Sequence, residues 1–198
     1  MRTTIVIVLM LVLTAGASAQ FKKGNFELML SGTAGSFSEN FKYTSKTSEL
    51  FNDESDESHT YAYLSFMPSW YIIDGLSAEV ELGLRAMEGS EPTQAVILNA
   101  SYTHALRKSP VAFFARAGYG ISNGYSVPIF YELVGRTDGF DINIINLGAG
   151  LKIRTGGSGL IRAEINYRIQ SYTTETALAT YDHTYGALSL MLGVGVML

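Results

Sequence analysis

The chain of 198 residues has no cysteine. A disulfide is therefore excluded, and so is a lipoprotein signal, which needs a cysteine to modify. Beyond the first residues it also lacks any long hydrophobic run. The longest apolar stretches are a few residues, interrupted by charge or glycine, far short of the ~20 that a spanning helix needs. There is no basic excess: 14 Lys and Arg stand against 18 Asp and Glu, for a net charge of −4. That balance argues against nucleic acid as a partner. A phosphate loop and a metal-ligand cluster are missing too. Gly156-Gly157-Ser158-Gly159 lies between two strand-like segments, not before a helix, and reads as a turn. No cofactor and no metal are expected.

What is present begins with an export signal. Arg2 supplies a positive start, Ile5 to Leu13 is unbroken and apolar, and Ala17-Ser18-Ala19 is a small-residue cleavage site before Gln20. The domain reading is therefore a signal peptide over 1–19 and a single domain over 20–198. Within that domain, apolar side chains take every second position. In Leu160 to Gln170, residues Ile161, Ala163, Ile165, Tyr167 and Ile169 point one way, and Arg162, Glu164, Asn166, Arg168 and Gln170 the other. Side chains alternate across a strand, so each strand has one greasy face and one ionic face.

Strand-length segments fall at about 25–37, 60–73, 76–87, 94–104, 111–122, 142–154, 160–171 and 185–198. Each satisfies the ~9–11 residues of a tilted membrane strand. Connections alternate in kind. Asp74-Gly75, the turn around Leu106 to Pro110, and Thr155 to Gly159 are short. The segments 38–59, 88–93, 123–141 and 172–184 are mostly longer. Short periplasmic turns opposite longer external loops are the asymmetry of outer-membrane barrels.

Magnitude decides which face meets lipid. An Arg or Lys in lipid at the bilayer midplane costs roughly 2–4 kcal/mol, and the ionic face would put Lys152, Arg162 and Arg168 there. The apolar face is therefore outside, with Phe26, Trp70, Tyr102 and Phe113 near one interface and Tyr119 and Tyr167 near the other. The expected fold is all-β: an eight-stranded antiparallel up-and-down transmembrane β-barrel, with strand eight closing on strand one because an open edge in hydrocarbon is costly. Pro68, inside strand two, predicts a bulge or local irregularity. A soluble ligand-binding barrel with reversed faces is the alternative, but it would leave the paired glycines of the polar face on a water-exposed surface.

The inward face carries Glu27, Glu79, Glu81, Arg85, Arg116, Lys152, Arg154, Arg162, Glu164 and Arg168, with Asn99, Asn146, Asn166 and Gln170. Gly118 and Gly120, Gly148 and Gly150, and Gly193 and Gly195 share it. An eight-stranded interior is just wide enough for its own side chains, so this set reads as an ion-paired plug. A narrow polar conduit for small solutes or ions is the second reading.

The chain resembles the small outer-membrane β-barrel proteins of Gram-negative bacteria, the OmpA-transmembrane-domain and OmpX-like group. The resemblance covers the whole mature chain. It rests on Ala17 to Gln20, on Phe66-Met67-Pro68-Ser69-Trp70-Tyr71-Ile72-Ile73-Asp74-Gly75-Leu76, on Ala115-Arg116-Ala117-Gly118-Tyr119-Gly120, and on Leu192-Gly193-Val194-Gly195-Val196-Met197-Leu198. It implies an outer-membrane location, contact with outer-membrane lipid and lipopolysaccharide, and insertion by the outer-membrane assembly machinery, which recognises the last strand. Members usually end in Phe or Trp, whereas this chain ends in Leu198. No peptidoglycan-binding domain follows, so a cell-wall tether is not implied.

Catalysis is weighed and set aside. His59 and His183 would stand at the external rim, where lipid-A-modifying barrel enzymes keep their catalytic groups, and Asp182 adjoins His183. Strand neighbours point to opposite faces, so Asp182 cannot orient His183 by adjacency. His104 reads as an interfacial side chain at the other end. The acidic stretch Glu49 to Ser58 lacks the glycine and alternation of a calcium loop and reads as a solvated external loop. Loop 123–141 is unusually apolar; Tyr125, Ile129, Phe130 and Tyr131 make it a surface-contact candidate or an extension of its flanking strands. The expected function is that of a non-enzymatic, monomeric outer-membrane barrel with a structural or surface-interaction role.

Overall fold

The computed structural model describes residues 21–45, 53–87, 92–107, 109–123, 142–175 and 179–198. Among these lie eight strands: β1 (Phe26–Ser45), β2 (Asp53–Ile73), β3 (Leu76–Met87), β4 (Thr93–Ala105), β5 (Val111–Ser122), β6 (Ile142–Gly156), β7 (Gly159–Glu175) and β8 (Ala179–Met197). Each pairs antiparallel with its sequence neighbours and β8 pairs with β1, giving one closed barrel. The expected architecture is the one found. The signal segment 1–19 and the residues Tyr125, Ile129, Phe130 and Tyr131 lie outside the described residues.

Four strands are longer than the alternation predicts. The β1–β2 ladder runs on to Tyr43↔Asp53, β1–β8 to Ser45↔Ala179, and β7–β8 to Glu175↔Thr180. Residues 53–58 of the acidic stretch are therefore strand, not loop, which corrects the sequence reading. The reason is physical. Alternation is imposed by having hydrocarbon on one face, and beyond the bilayer a strand keeps its ladder while losing the pattern.

Pro68 behaves as its missing N–H requires. It stays in register with Leu28 of β1, but the β2–β3 ladder passes from Phe66↔Leu82 to Ser69↔Glu79 with no pairing at Met67 and Pro68. The register shift of this pair falls later, between Tyr71 and Ile73, beside the Asp74-Gly75 turn. Gly75 has φ 80°, a conformation glycine enters at no steric cost. The β1–β8 seam has its own gap. Pairing stops at Gly32↔Leu192 and resumes, in the same register, at Ser38↔Gly186.

The outer face is continuous and apolar. Leu82, Leu84, Leu98, Leu147, Ile165, Leu188, Leu190 and Val194 are all exposed. Among the described residues no Asp, Glu, Lys or Arg stands on the outward face within this band. Along β8 the band runs from Leu188 to Leu198, about 33 Å at ~3.3 Å per residue, or about 25 Å of height at a ~40° tilt. That matches the apolar band of an outer-membrane barrel. Aromatics mark its borders: Phe26, Trp70 and Phe113 are exposed near the short turns, and Tyr119 and Tyr167 toward the opposite end.

Candidate functional site

With leucine and valine turned out, the ionic residues of the same strands are driven into the lumen. The structure gathers there four carboxylates, Glu27 (β1), Glu79 and Glu81 (β3) and Glu164 (β7), and four cations, Arg116 (β5), Lys152 (β6), Arg162 and Arg168 (β7). They form one chain along the barrel. Lys152 Nζ is 2.8 Å from Glu27 Oε2 and 3.9 Å from Glu79 Oε1. Arg162 follows, 3.4 Å from Glu79 and 2.9 Å from Glu164. Arg116 is the hub. Its Nε donates to Glu164 Oε1 at 2.7 Å and its Nη1 to Glu81 Oε2 at 2.7 Å, with Glu79 Oε2 at 3.8 Å. Arg168 completes the chain on Glu81.

All eight side chains are essentially buried; Arg168, the most exposed, is at 9%. At such depth an unpaired charge is very costly, so balance of sign is what makes the arrangement tenable. Aromatic rings and sulfur fill the gaps between ions. Arg162 Cζ lies 4.1 Å from the Phe114 ring centroid and Arg168 Cζ 4.1 Å from that of Tyr63. Met67 Sδ is 3.4 Å from Arg116 Nη1. Tyr63 Oη donates to Glu81 at 2.8 Å and Tyr71 Oη to Glu27 at 2.9 Å. Beside the ion chain Asn166 and Asn146 pass amide hydrogen bonds to Asn146 and Asn99 at 2.9 and 2.7 Å.

The lumen glycines provide floor space for these side chains. A Cβ at Gly148 would overlap Glu164 Oε1, one at Gly118 the Asn99 amide, and one at Gly83 the Tyr63 hydroxyl. At Gly150 it would overlap the Ala163 carbonyl oxygen and come within 2.8 Å of the Glu164 Cα, where no side chain can swing away. Gly150→Ala is expected to destabilise the barrel by about 1–3 kcal/mol, the usual range for overpacking. Gly32→Ala, whose nearest neighbour is an ordinary 3.4 Å away, should change little. Urea titration of both variants in detergent micelles checks the contrast.

Two lumen features escape the sequence reading. The first is an apolar stopper at the short-turn end, built from Phe21, Met29, Met67, Tyr71, Leu160 and Met197 with two alanines. Phe21 comes from outside the strands. Its carbonyl accepts Gly75 N–H at 2.8 Å, and its ring meets Tyr71 at 5.6 Å between centroids. A lone aromatic two residues past the expected cleavage site was the available signal. The second is Arg154, assigned by parity to the inward network. It lies at the mouth instead, donating to Gly157 O at 2.8 Å, beside the register shift that ends the β6–β7 ladder.

Arg85 stands toward the external end, its Nη2 donating to Gln170 Oε1 at 2.9 Å and its Nε lying 3.4 Å from Thr93 Oγ1. A cavity of about 20 Å³ opens there among Tyr61, Tyr63, Arg85, Arg168 and Gln170. It has room for about one water molecule. The backbone positions of His59 and His183 lie two strands apart, opposite Phe37 and Phe41 of β1, and are four residues out of step. Among the described residues no cluster of His, Asp or Glu could hold a metal ion.

A closed eight-stranded barrel with hydrocarbon side chains outside and paired ions inside has the build of a transmembrane β-barrel. Comparison with solved structures agrees. The chain is similar to the outer membrane protein OprG of Pseudomonas aeruginosa, with a TM-score of 0.52 and 11% identity over 89% of this chain and 97% of that one. It is likewise similar to the N-terminal β-barrel domain of OprF from Pseudomonas aeruginosa, with a TM-score of 0.50 and 13% identity over 89% and 98% of the two chains. A de novo designed transmembrane β-barrel matches at 0.50 and 9% identity, over 89% and 98%. No protein-family model matches the sequence, and no curated protein does. The fold is that of the small outer-membrane barrels. At these identities the likeness extends to fold alone.

Proposed function

We propose that this protein is a non-enzymatic, monomeric outer-membrane barrel whose interior is an ionic plug and whose work is done at the cell surface, as a structural or surface-interaction component of the envelope. The observation that carries this reading is the lumen. Side chains fill it from the Phe21 stopper through the ion chain to Arg85, and the cavity above holds about 20 Å³. A hydrated ion needs a continuous aqueous path, and eight strands that fill their own interior do not supply one.

The strands themselves support a role outside the membrane. β1, β2, β7 and β8 continue well past the apolar band, to Ser45, Asp53, Glu175 and Ala179, whereas β3 ends at Met87 and β6 begins at Ile142. A ladder kept up beyond the bilayer carries these strands out of the membrane, where they present a surface. Outer-membrane residence, contact with lipopolysaccharide and insertion by the assembly machinery acting on β8 belong to the same proposal. Pairing of β8 with β1 on both sides of the gap in their seam closes the barrel, so a partner strand is not needed to complete it.

Planar-bilayer recording on purified, heat-modifiable protein tests the plug. Baseline current with no steady open level is expected. A large, stable conductance would refute the plug and favour transport of small solutes. An altered lipid A mass profile on expression would refute the non-enzymatic reading.

A further inference from the structure

The short-turn end of the barrel carries an arc of positive charge that neither the plug nor the surface role uses. Lys22, Lys23 and Arg107 are exposed, and Arg154 is half-buried at the same rim. Backbone hydrogen bonds tie them into one neighbourhood. Gly75 N–H donates to Phe21 O at 2.8 Å, Thr103 N–H to Gly75 O at 2.6 Å, and Arg154 N–H to Pro110 O at 2.9 Å. Among the described residues at this end, Asp74 is the one exposed acid, and it already accepts the Lys23 backbone N–H at 2.8 Å. The rest of the chain's charge is of the opposite sign, since the molecule as a whole is at −4.

Depth gives this arc its meaning. Phe26, Trp70 and Phe113 are outward-facing and exposed, and each stands only three or four residues from the rim residues Lys23, Asp74 and Pro110. Aromatic girdles settle at the boundary of hydrocarbon and headgroup. Along β2 the three strand residues past Trp70 add about 8 Å beyond that boundary, which is phosphate depth, and lead to Asp74, to which the Lys23 backbone is hydrogen-bonded. Lysine and arginine stems reach along apolar surface while their heads stay at the polar layer.

From this geometry we propose that the short-turn rim is a binding surface for anionic diacyl phospholipid headgroups, with Lys22, Lys23 and Arg107 holding the phosphates of the leaflet that surrounds it. The proposal rests on the membrane-barrel reading above and goes further by assigning a lipid preference to one end. Each cation near an anionic surface strengthens association by about fivefold, within a Debye length.

The test uses the full mature chain in lipid vesicles, with spin-labelled phosphatidylglycerol and phosphatidylcholine as probes. At low salt the motionally restricted fraction should favour phosphatidylglycerol severalfold. The preference should fall to parity at high salt and in Lys22→Gln/Lys23→Gln/Arg107→Gln, whose changes lie outside the strands. Unchanged heat-modifiable migration would show that this variant is folded. Equal association of both lipids with the unaltered chain, or an undiminished preference in the triple variant, would overturn the proposal. So would binding to purified peptidoglycan with no lipid preference. Failure of the unaltered chain to enter vesicles would strike the membrane reading instead.

Discussion

Arg116→Met is expected to lower the unfolding free energy of the barrel by about 3–5 kcal/mol, the cost of breaking a buried ion cluster by removing one partner. Arg116 has 0% side-chain exposure and lies within 2.7 Å of both Glu81 and Glu164. Methionine matches its stem in length and apolar character, so packing is largely kept while the charge is lost. The cluster then holds four carboxylates against three cations, with water shut out. Neutralising a carboxylate should return part of the loss. Arg116→Met/Glu164→Gln is expected to be more stable than Arg116→Met alone, although each single change destabilises. The double-mutant cycle reads the coupling directly, as urea midpoints from heat-modifiable gel migration. Additive losses would mean that the two side chains do not work as one unit.

The second large effect is on the other face. Leu147 stands in the middle of β6, half-exposed to the outside at 46%, between the inward Asn146 and Gly148. Leu147→Arg should cost about 2–4 kcal/mol in a bilayer, whereas the same change at Ile153, near the short-turn rim, should cost about 0–1 kcal/mol. Depth is the whole of the difference, because both residues are outward-facing members of one strand. Refolding into vesicles, followed by urea titration, measures it. Equal costs at the two sites would point to an aqueous surface.

These two faces are also where the sequence was most legible. Hydrocarbon on one side and a packed ionic lumen on the other force a period of two, so Leu147, Lys152, Ile165 and Arg168 could each be placed from their neighbours alone. Glu79, Glu81, Arg116, Lys152, Arg162, Glu164 and Arg168 meet in one ion chain, because parity and strand order together fix which side chains share the interior, whereas Arg85 bonds to Gln170 and Thr93 instead. Legibility failed where those forces lapse. Beyond the bilayer no face pattern is required, so the extensions of β1 and β2 to Ser45 and Asp53 read as loop. Phe21 was missed because it belongs to no strand, and its contacts to Tyr71 and Lys152 are with residues distant in sequence. Arg154 was misplaced because parity presumes an unbroken ladder, and the ladder shifts register beside it. Pro68 broke its ladder to β3 as expected, but without a bulge at that point.

The central claim is that lipid touches the leucine face and water does not. The chain has no cysteine, so Leu82→Cys, Leu147→Cys and Ile165→Cys each accept one nitroxide without further change. In vesicles, power-saturation EPR at these three sites should show strong relaxation by oxygen, which concentrates in hydrocarbon, and weak relaxation by a water-soluble nickel chelate. Free access of the chelate to all three would contradict the account.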